Sequence, residues 1–261
     1  MTQNKLELAL QRAATDPSSR PDFYRLLLES EIYVIGSTNV PTEGRSLIPV
    51  GAKLSIVHWE KNDGTPVTPF FTSLEALQRS LKEESSFLAL PARSFFELVT
   101  GQTLVLNPAS SHGKEFFPNE VASLLSSGVN HTPVQRTVQE QTKVLLGQPA
   151  NYPTQMVAAL KAFLPRHANV QAAYLCLMQE SAANPTPSLV VGFKGVGDIS
   201  VAMREAGAVA ADTAQPGTPV DFMEIKDEEA GIDAYMLNSV EPFYKQSWSA
   251  KVSSFLRRKS R

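Results

Sequence analysis

The stretch HWEKNDGTPVTPFFTSLEALQRSL, residues 58 to 81, packs a strand, a tight turn, a second strand and the start of a helix into a short span. Ile56, His58 and Glu60 alternate with Val57 and Trp59, the period of two that sends successive side chains to opposite faces of a strand. Asp63-Gly64 predicts a hairpin, because a primed turn needs positive φ at its central residues. Pro66 and Pro69 remove two ladder donors, so the returning strand is expected at an edge or short. Thr72 and Glu75 have capping-box spacing, hydroxyl and carboxylate each satisfying an orphan N–H, and Leu74, Leu77 and Leu81 form the apolar stripe behind them.

Upstream, Leu6, Leu10 and Ala13 share a helix face that ends at Asp16-Pro17. Pro21 suits the first turn of a second helix with Phe23, Leu26 and Leu27 on its apolar side. EIYVIG, residues 31 to 36, reads as a strand, and residues 37 to 52, with Pro41, Gly44, Pro49 and Gly51, as a loop. Downstream, SFLAL (86 to 90) is a strand, Phe95, Phe96 and Val99 belong to a short helix capped at Gly101, and TLVL (103 to 106) is another strand. A helix from Pro118 to near Gly128 closes this half.

Residues 126 to 155 are rich in proline and small polar residues around the apolar run Val144 to Leu146, which marks a linker carrying a short strand. The boundaries expected are 1–128 for a first domain, 129–152 for the linker and 153–261 for a second. The second is read as a helix from Pro153 to Leu164, strands at 170–178 and 188–193, a helix at 199–211, and strands at 219–225 and 232–237 around the Asp227 to Gly231 turn. That order suggests a small sheet with helices on one face, and a C-terminal helix through Phe243, Trp248, Val252 and Phe255 is expected to dock back. The fold class is therefore α/β to α+β: two small mixed α/β domains, each a sheet flanked by helices.

A length of 261 residues suffices for two cores, and 43% hydrophobic with 19% charged residues is the balance of a globular chain. The formal charge of −2 gives no electrostatic reason to expect nucleic acid. No apolar run reaches the ~18 residues a membrane helix needs, and the N-terminus lacks an apolar signal core. The single cysteine, Cys176, excludes an intramolecular disulfide and fits a reducing compartment, so a cytoplasmic location is expected.

Chemistry-bearing patterns are few. Gly192 to Ser200 falls between a strand and a helix, where a phosphate loop would sit. Ser200 replaces its third glycine, however, and Asp198 would put a carboxylate where the phosphate belongs; Asp198 reads better as a helix cap. Gly113-Lys114 ends like a phosphate-binding motif, but Pro108 and Glu115 replace required residues. Ser111 and Lys114 have the spacing of an acyl-enzyme pair without its partner elements. His58, His112, His131 and His167 have no metal-ligand spacing, and Cys176 lies in the apolar strand YLCLM, where a thiol is inert. Asp227 to Glu229 reads as a solvated turn, and Arg257, Arg258, Lys259 and Arg261 as a frayed basic tail. No catalytic residue, metal or cofactor is expected.

The chain resembles the SseB ("enhanced serine sensitivity") family. The resemblance is carried by FYRLLLES (23 to 30), HWEKNDGT (58 to 65), PFFTSLEALQ (69 to 78) and GKEF (113 to 116). The second half adds QMVAAL (155 to 160), GDI (197 to 199), VAADT (209 to 213) and PFY (242 to 244). It implies separate N-terminal and C-terminal SseB-type domains and carries over no reaction, cofactor or catalytic residue, since the family name records a phenotype.

The expectation is a non-enzymatic interaction or regulatory protein with a protein partner, no membrane association and room for a homo-oligomer. The alternative is a small-molecule binder or enzyme with a site built from the 58–65 hairpin and the 110–117 loop. Either way the surface to inspect is His58, Glu60, Lys114 and Glu115, four polar residues around turns.

Overall fold

The computed structural model describes residues 4–39, 53–130, 144–179, 187–226 and 230–246. They divide into two compact units, the first drawn from 1–15 with 19–130 and the second from 16–18 with 131–261.

In the first unit, α1 (Lys5–Thr15) buries Leu6, Leu10 and Ala13, the face that the spacing of four and three predicts. A helix α2 (Arg20–Glu29) follows with Pro21 in its first turn and Phe23, Tyr24 and Leu27 buried. Next come β1 (Glu31–Thr38), β2 (Leu54–Ile56), β3 (Trp59–Glu60), β4 (Pro66–Phe70), α3 (Leu74–Ser80), β5 (Phe87–Pro91), α4 (Ala92–Leu98), β6 (Leu104–Leu106), β7 (Lys114–Phe116) and α5 (Pro118–Ser127). The strands form two sheets, ordered β2-β1-β5 and β3-β4-β6-β7, touching through an isolated bridge between Tyr33 and Phe71. Phe70, Phe95, Phe96 and Phe116 meet in the core with ring centroids 5.5 to 6.0 Å apart, in tilted and edge-on arrangements.

Three expectations for the 56–81 stretch are corrected, and the one for the returning strand holds in one of its two forms. The strand expected through 56–60 is split: β2 pairs with β1 and β3 with β4, and Val57 and His58 lie at the crossing between sheets. The turn is not a two-residue primed turn. Gly64 N–H donates to Lys61 O, Lys61 N–H donates to Thr65 O, and of these residues Gly64 alone has positive φ, +82°. β4 is short but interior, with β3 antiparallel on one side and β6 parallel on the other. Thr68 N–H donates toward β6 and Phe71 N–H toward Tyr33, so Pro69 falls in the gap between the end of β3 and the Tyr33 bridge, where no donor is required. Finally, Ser73 rather than Thr72 caps α3, its Oγ accepting from Ala76 N–H at 3.1 Å.

The second unit runs β8 (Leu145–Gly147), α6 (Thr154–Phe163), β9 (Val170–Gln179), β10 (Ser188–Gly195), α7 (Ser200–Ala211), β11 (Val220–Glu224), α8 (Gly231–Ser239) and β12 (Tyr244–Lys245). One sheet is ordered β11-β10-β9-β12, with β8 also on β9; β11 is parallel to β10 and the other pairs are antiparallel. The expected strand at 232–237 is the helix α8. Its Ile232, Tyr235 and Met236 recur at three and four, the helical period, and Met236 is fully buried. Asp233 Oδ2 accepts from Lys226 N–H at 2.6 Å and ties the helix start to the chain leaving β11. The sheet therefore carries helices on both faces: α6 and α7 pack on Ala173, Leu175 and Val191, and α8 on Tyr174, Cys176 and Val190. Phe243 lies outside any helix, and Tyr244–Lys245 pairs with β9. The expected loop around 40–52, His131, the acidic turn 227–229 and the tail containing Trp248, Val252 and Phe255 lie outside the described residues.

Candidate functional site

The hairpin β3–β4 brings His58 to the level of Thr68. His58 Nδ1 and Thr68 Oγ1 are 2.8 Å apart, and Thr68 Oγ1 donates to Gln102 Oε1 at 2.7 Å. A hydroxyl has one proton, so with that proton given to Gln102 it accepts from His58 Nδ1–H. This assignment follows from the hydrogen-bond network. Thr68 is fully buried and His58 exposed, so a buried anchor holds an exposed imidazole. Glu60, exposed on β3, sits opposite Pro66 with Oε1 3.7 Å from where a Cβ on Gly64 would stand. Its carboxylate thus lies against the turn.

Lys114 and Glu115 belong to a strand, where a loop was expected, and alternation sends them to opposite faces. Lys114 Nζ is 3.0 Å from Glu120 Oε1 and 4.7 Å from the Phe116 ring centroid. Glu120 Oε2 accepts from Phe117 N–H at 3.1 Å, which fixes the start of α5. Glu115 pairs with Lys61 of the hairpin. The four residues are therefore held in separate arrangements: His58 on Thr68, Glu60 beside its turn, Lys114 on Glu120 and Glu115 on Lys61. Lys61, which joins the hairpin to β7, was not singled out from the sequence, where its place beside Glu60 was the only signal.

A second polar cluster lies beneath. Asn107, 4% exposed, accepts from Thr72 N–H at 3.0 Å and donates to Thr72 Oγ1 at 2.9 Å. Thr72 Oγ1 and Ser73 Oγ both donate to Glu7 Oε1, at 3.2 and 2.7 Å, joining the first turns of α1 and α3. Sequence reading missed Asn107; the Asn-Pro pair it forms with Pro108 is the turn signal that could have found it.

The remaining candidates have structural partners. Asp198 Oδ1 accepts from Ser200 N–H at 2.8 Å, and that bond holds the carboxyl below its usual pKa. A carboxylate thus occupies the α7 entrance where a phosphate would have to bind. Ser111 Oγ lies 3.0 Å from His112 Nδ1 while Lys114 is committed to β7, so the acyl-enzyme spacing does not form one helical turn. Burial pushes the Cys176 thiol up to about 11. His167 Nε2 is 3.1 Å from Glu205 Oε2, with the Phe163 ring 4.7 Å from its own, an interior pair that no local pattern connects. Among the described residues, no group of three or more His, Cys, Asp or Glu could hold a metal ion, and no helix is long and apolar enough to cross a membrane.

Two mixed α/β units, each with its own sheet system and core, define the class: a two-domain α/β protein with a polar hairpin surface on its first unit. The SseB protein N-terminal domain family matches residues 6–123 and the SseB protein C-terminal domain family matches residues 138–246. "Protein SseB" of Escherichia coli (strain K12) is 36% identical over 254 residues, covering 97% of this chain and 96% of that protein, and "Protein SseB" of Shigella flexneri gives the same figures. The chain belongs to the SseB family. No solved structure matches it.

Proposed function

We propose that this chain is a cytoplasmic, non-enzymatic interaction protein that regulates a protein partner by docking it on the hairpin surface of the first unit, at His58, Glu60, Lys114 and Glu115. The supporting observation is the anchoring of His58: a buried Thr68, itself bonded to Gln102, holds an exposed ring in one orientation. No folding requirement explains an exposed imidazole fixed in this way, and a fixed side chain loses less entropy when a partner engages it. The ion pairs Lys61–Glu115 and Lys114–Glu120 set the neighbouring charges before any encounter. The partner is a protein presenting complementary polar groups; nucleic acid and membrane are not called for, and a second copy of the chain is one form such a partner takes. We place the domain limits at 1–128 and 153–261, with 129–152 as linker. Capture from native lysate tests this. The wild type should retain a protein at stoichiometric level that the H58A/E60A variant, with unchanged melting temperature, does not retain. Equal recovery by both, or recovery of the free chain alone, rejects the reading.

The alternative, a small-molecule site between the 58–65 hairpin and the 110–117 segment, draws support from the Lys61–Glu115 contact, which brings the two together. A ligand there must raise the melting temperature, so a screen of amino acids and nucleotides that produces no shift at concentrations far above physiological rejects it.

A further inference from the structure

On the outer edge of its sheet the second unit has a cavity of about 480 Å³, whose lining includes Gln148, Tyr152, Lys161, Leu175, Glu241 and Phe243. It originates in a break in the β-ladder. On the edge of β9 away from β10, β12 pairs with Ala172 and Ala173, and β8 pairs with Leu177 to Gln179. Among the described residues, no strand pairs with Tyr174, Leu175 or Cys176 on that edge.

The backbone of Leu175 points into this break. Leu189 N–H donates to Pro219 O beside β11, and Ile225 N–H donates to Phe193 O on the same side. Leu189, Val191 and Phe193 thus turn their backbone groups toward β11, and Val190 and Gly192, opposite Cys176 and Tyr174, turn theirs toward β9. Alternation then aims the N–H and C=O of Leu175 outward, with those of Gln171, whose carbonyl accepts from Gln246 N–H at 2.8 Å. Both flanking strands stop before reaching Leu175, and the sequence shows why. Continued in register, β8 would place Pro149 opposite Leu175 and β12 would place Pro242 there. Neither ring nitrogen can donate to the Leu175 carbonyl. Two prolines from opposite directions hold one donor and one acceptor open.

The break has a definite length and a definite charge pattern. From Ala173 to Leu177 is about 13 Å at ~3.3 Å per residue, room for two or three extended residues and too short for an ordinary strand. Lys161 and Glu241, both exposed, give the lining one charge of each sign, and among the described residues neither forms an ion pair. Tyr152, 49% exposed, and Phe243 add aromatic surface.

We propose that this notch binds a free tripeptide as a zwitterion. The middle residue of the tripeptide, whose own N–H and C=O point to the same side, donates to the Leu175 carbonyl and accepts from its N–H, the terminal carboxylate lies by Lys161, the terminal ammonium by Glu241, and a side chain rests on Tyr152 or Phe243. Pairing with a sheet edge gives affinity without sequence preference, and the closed ends of the break give selection by length. A longer peptide would overlap β8 or β12.

Titrating the ¹⁵N-labelled full-length chain with trialanine, while following the Leu175 amide resonance, tests this. A saturable shift centred on Leu175 is expected. Hexaalanine and the end-blocked N-acetyl trialanine amide should bind at least about threefold more weakly, as should trialanine to the K161Q and E241Q variants. Both substitutions are at exposed positions and should leave the amide spectrum otherwise in place. No saturable shift at about 10 mM trialanine, equal binding of hexaalanine, or a loss below threefold in both variants overturns the proposal.

Discussion

Asn107 holds a left-handed backbone, φ 47°, and from it reaches Thr72 twice while its own N–H donates to Phe70 O. Asparagine is one of the few residues that enters this region without a large penalty. Asn107→Ala removes both side-chain bonds and leaves Thr72 N–H buried without an acceptor, so stability should fall by about 2 kcal/mol in urea unfolding. Asp198 adds a pH dependence whose sign follows from its partner. The bond from Ser200 lowers the carboxyl's pKa in the folded chain, so its stabilising contribution is present above the unfolded value and fades as pH falls through the folded one. The stability difference between wild type and D198A should therefore shrink on acidification below about pH 4. An undiminished difference at pH 2.5, about 1.4 pH units below the unfolded value, would contradict the assignment. Cys176, buried with its thiol pushed up to about 11, should react with a thiol reagent at pH 8 on the order of a hundredfold more slowly in the native chain than in denaturant.

Local patterning shows which elements could be read from the chain. The faces of α1 and α2, the body of β1, the α5 ending at Gly128, and α6, β9, β10 and α7 follow from period and punctuation because their own residues decide them. α8 was misread because Ile232, Ala234 and Met236 also alternate, and only the apolar face of β9 and β10 selects the helical reading. β4 is short, one of the two forms expected of a strand with two prolines, yet interior, because its β3 partner does not extend to Pro69. At the candidate site, the hairpin was legible. The anchoring of His58 through Thr68 on Gln102 was not, since Thr68 and Gln102 lie 34 positions apart and leave no trace in local pattern. α8 also yields a prediction. A Cβ on Gly192 would stand 2.3 Å from Met236 Sδ and 3.0 Å from Ile225 Cδ1, so G192A should cost about 1–3 kcal/mol. Pairing G192A with M236A should recover part of that loss, because the methyl then enters vacated space.

For the whole molecule, the two units have separate cores: an aromatic cluster around Phe70, Phe95, Phe96 and Phe116 in the first, and a helix-covered sheet in the second. Fragments 1–130 and 131–261 should each unfold in one cooperative calorimetric transition, and a fragment without a transition would mean that it depends on the other. The hairpin surface is the proposed place where a protein docks. The most direct measurement is amide hydrogen exchange of the full-length chain, alone and with the protein it retains from lysate. Slowed exchange concentrated at residues 57–61 and 114–116, and absent when H58A/E60A is mixed with the same protein, is the predicted result. Protection elsewhere with these segments unchanged would contradict it.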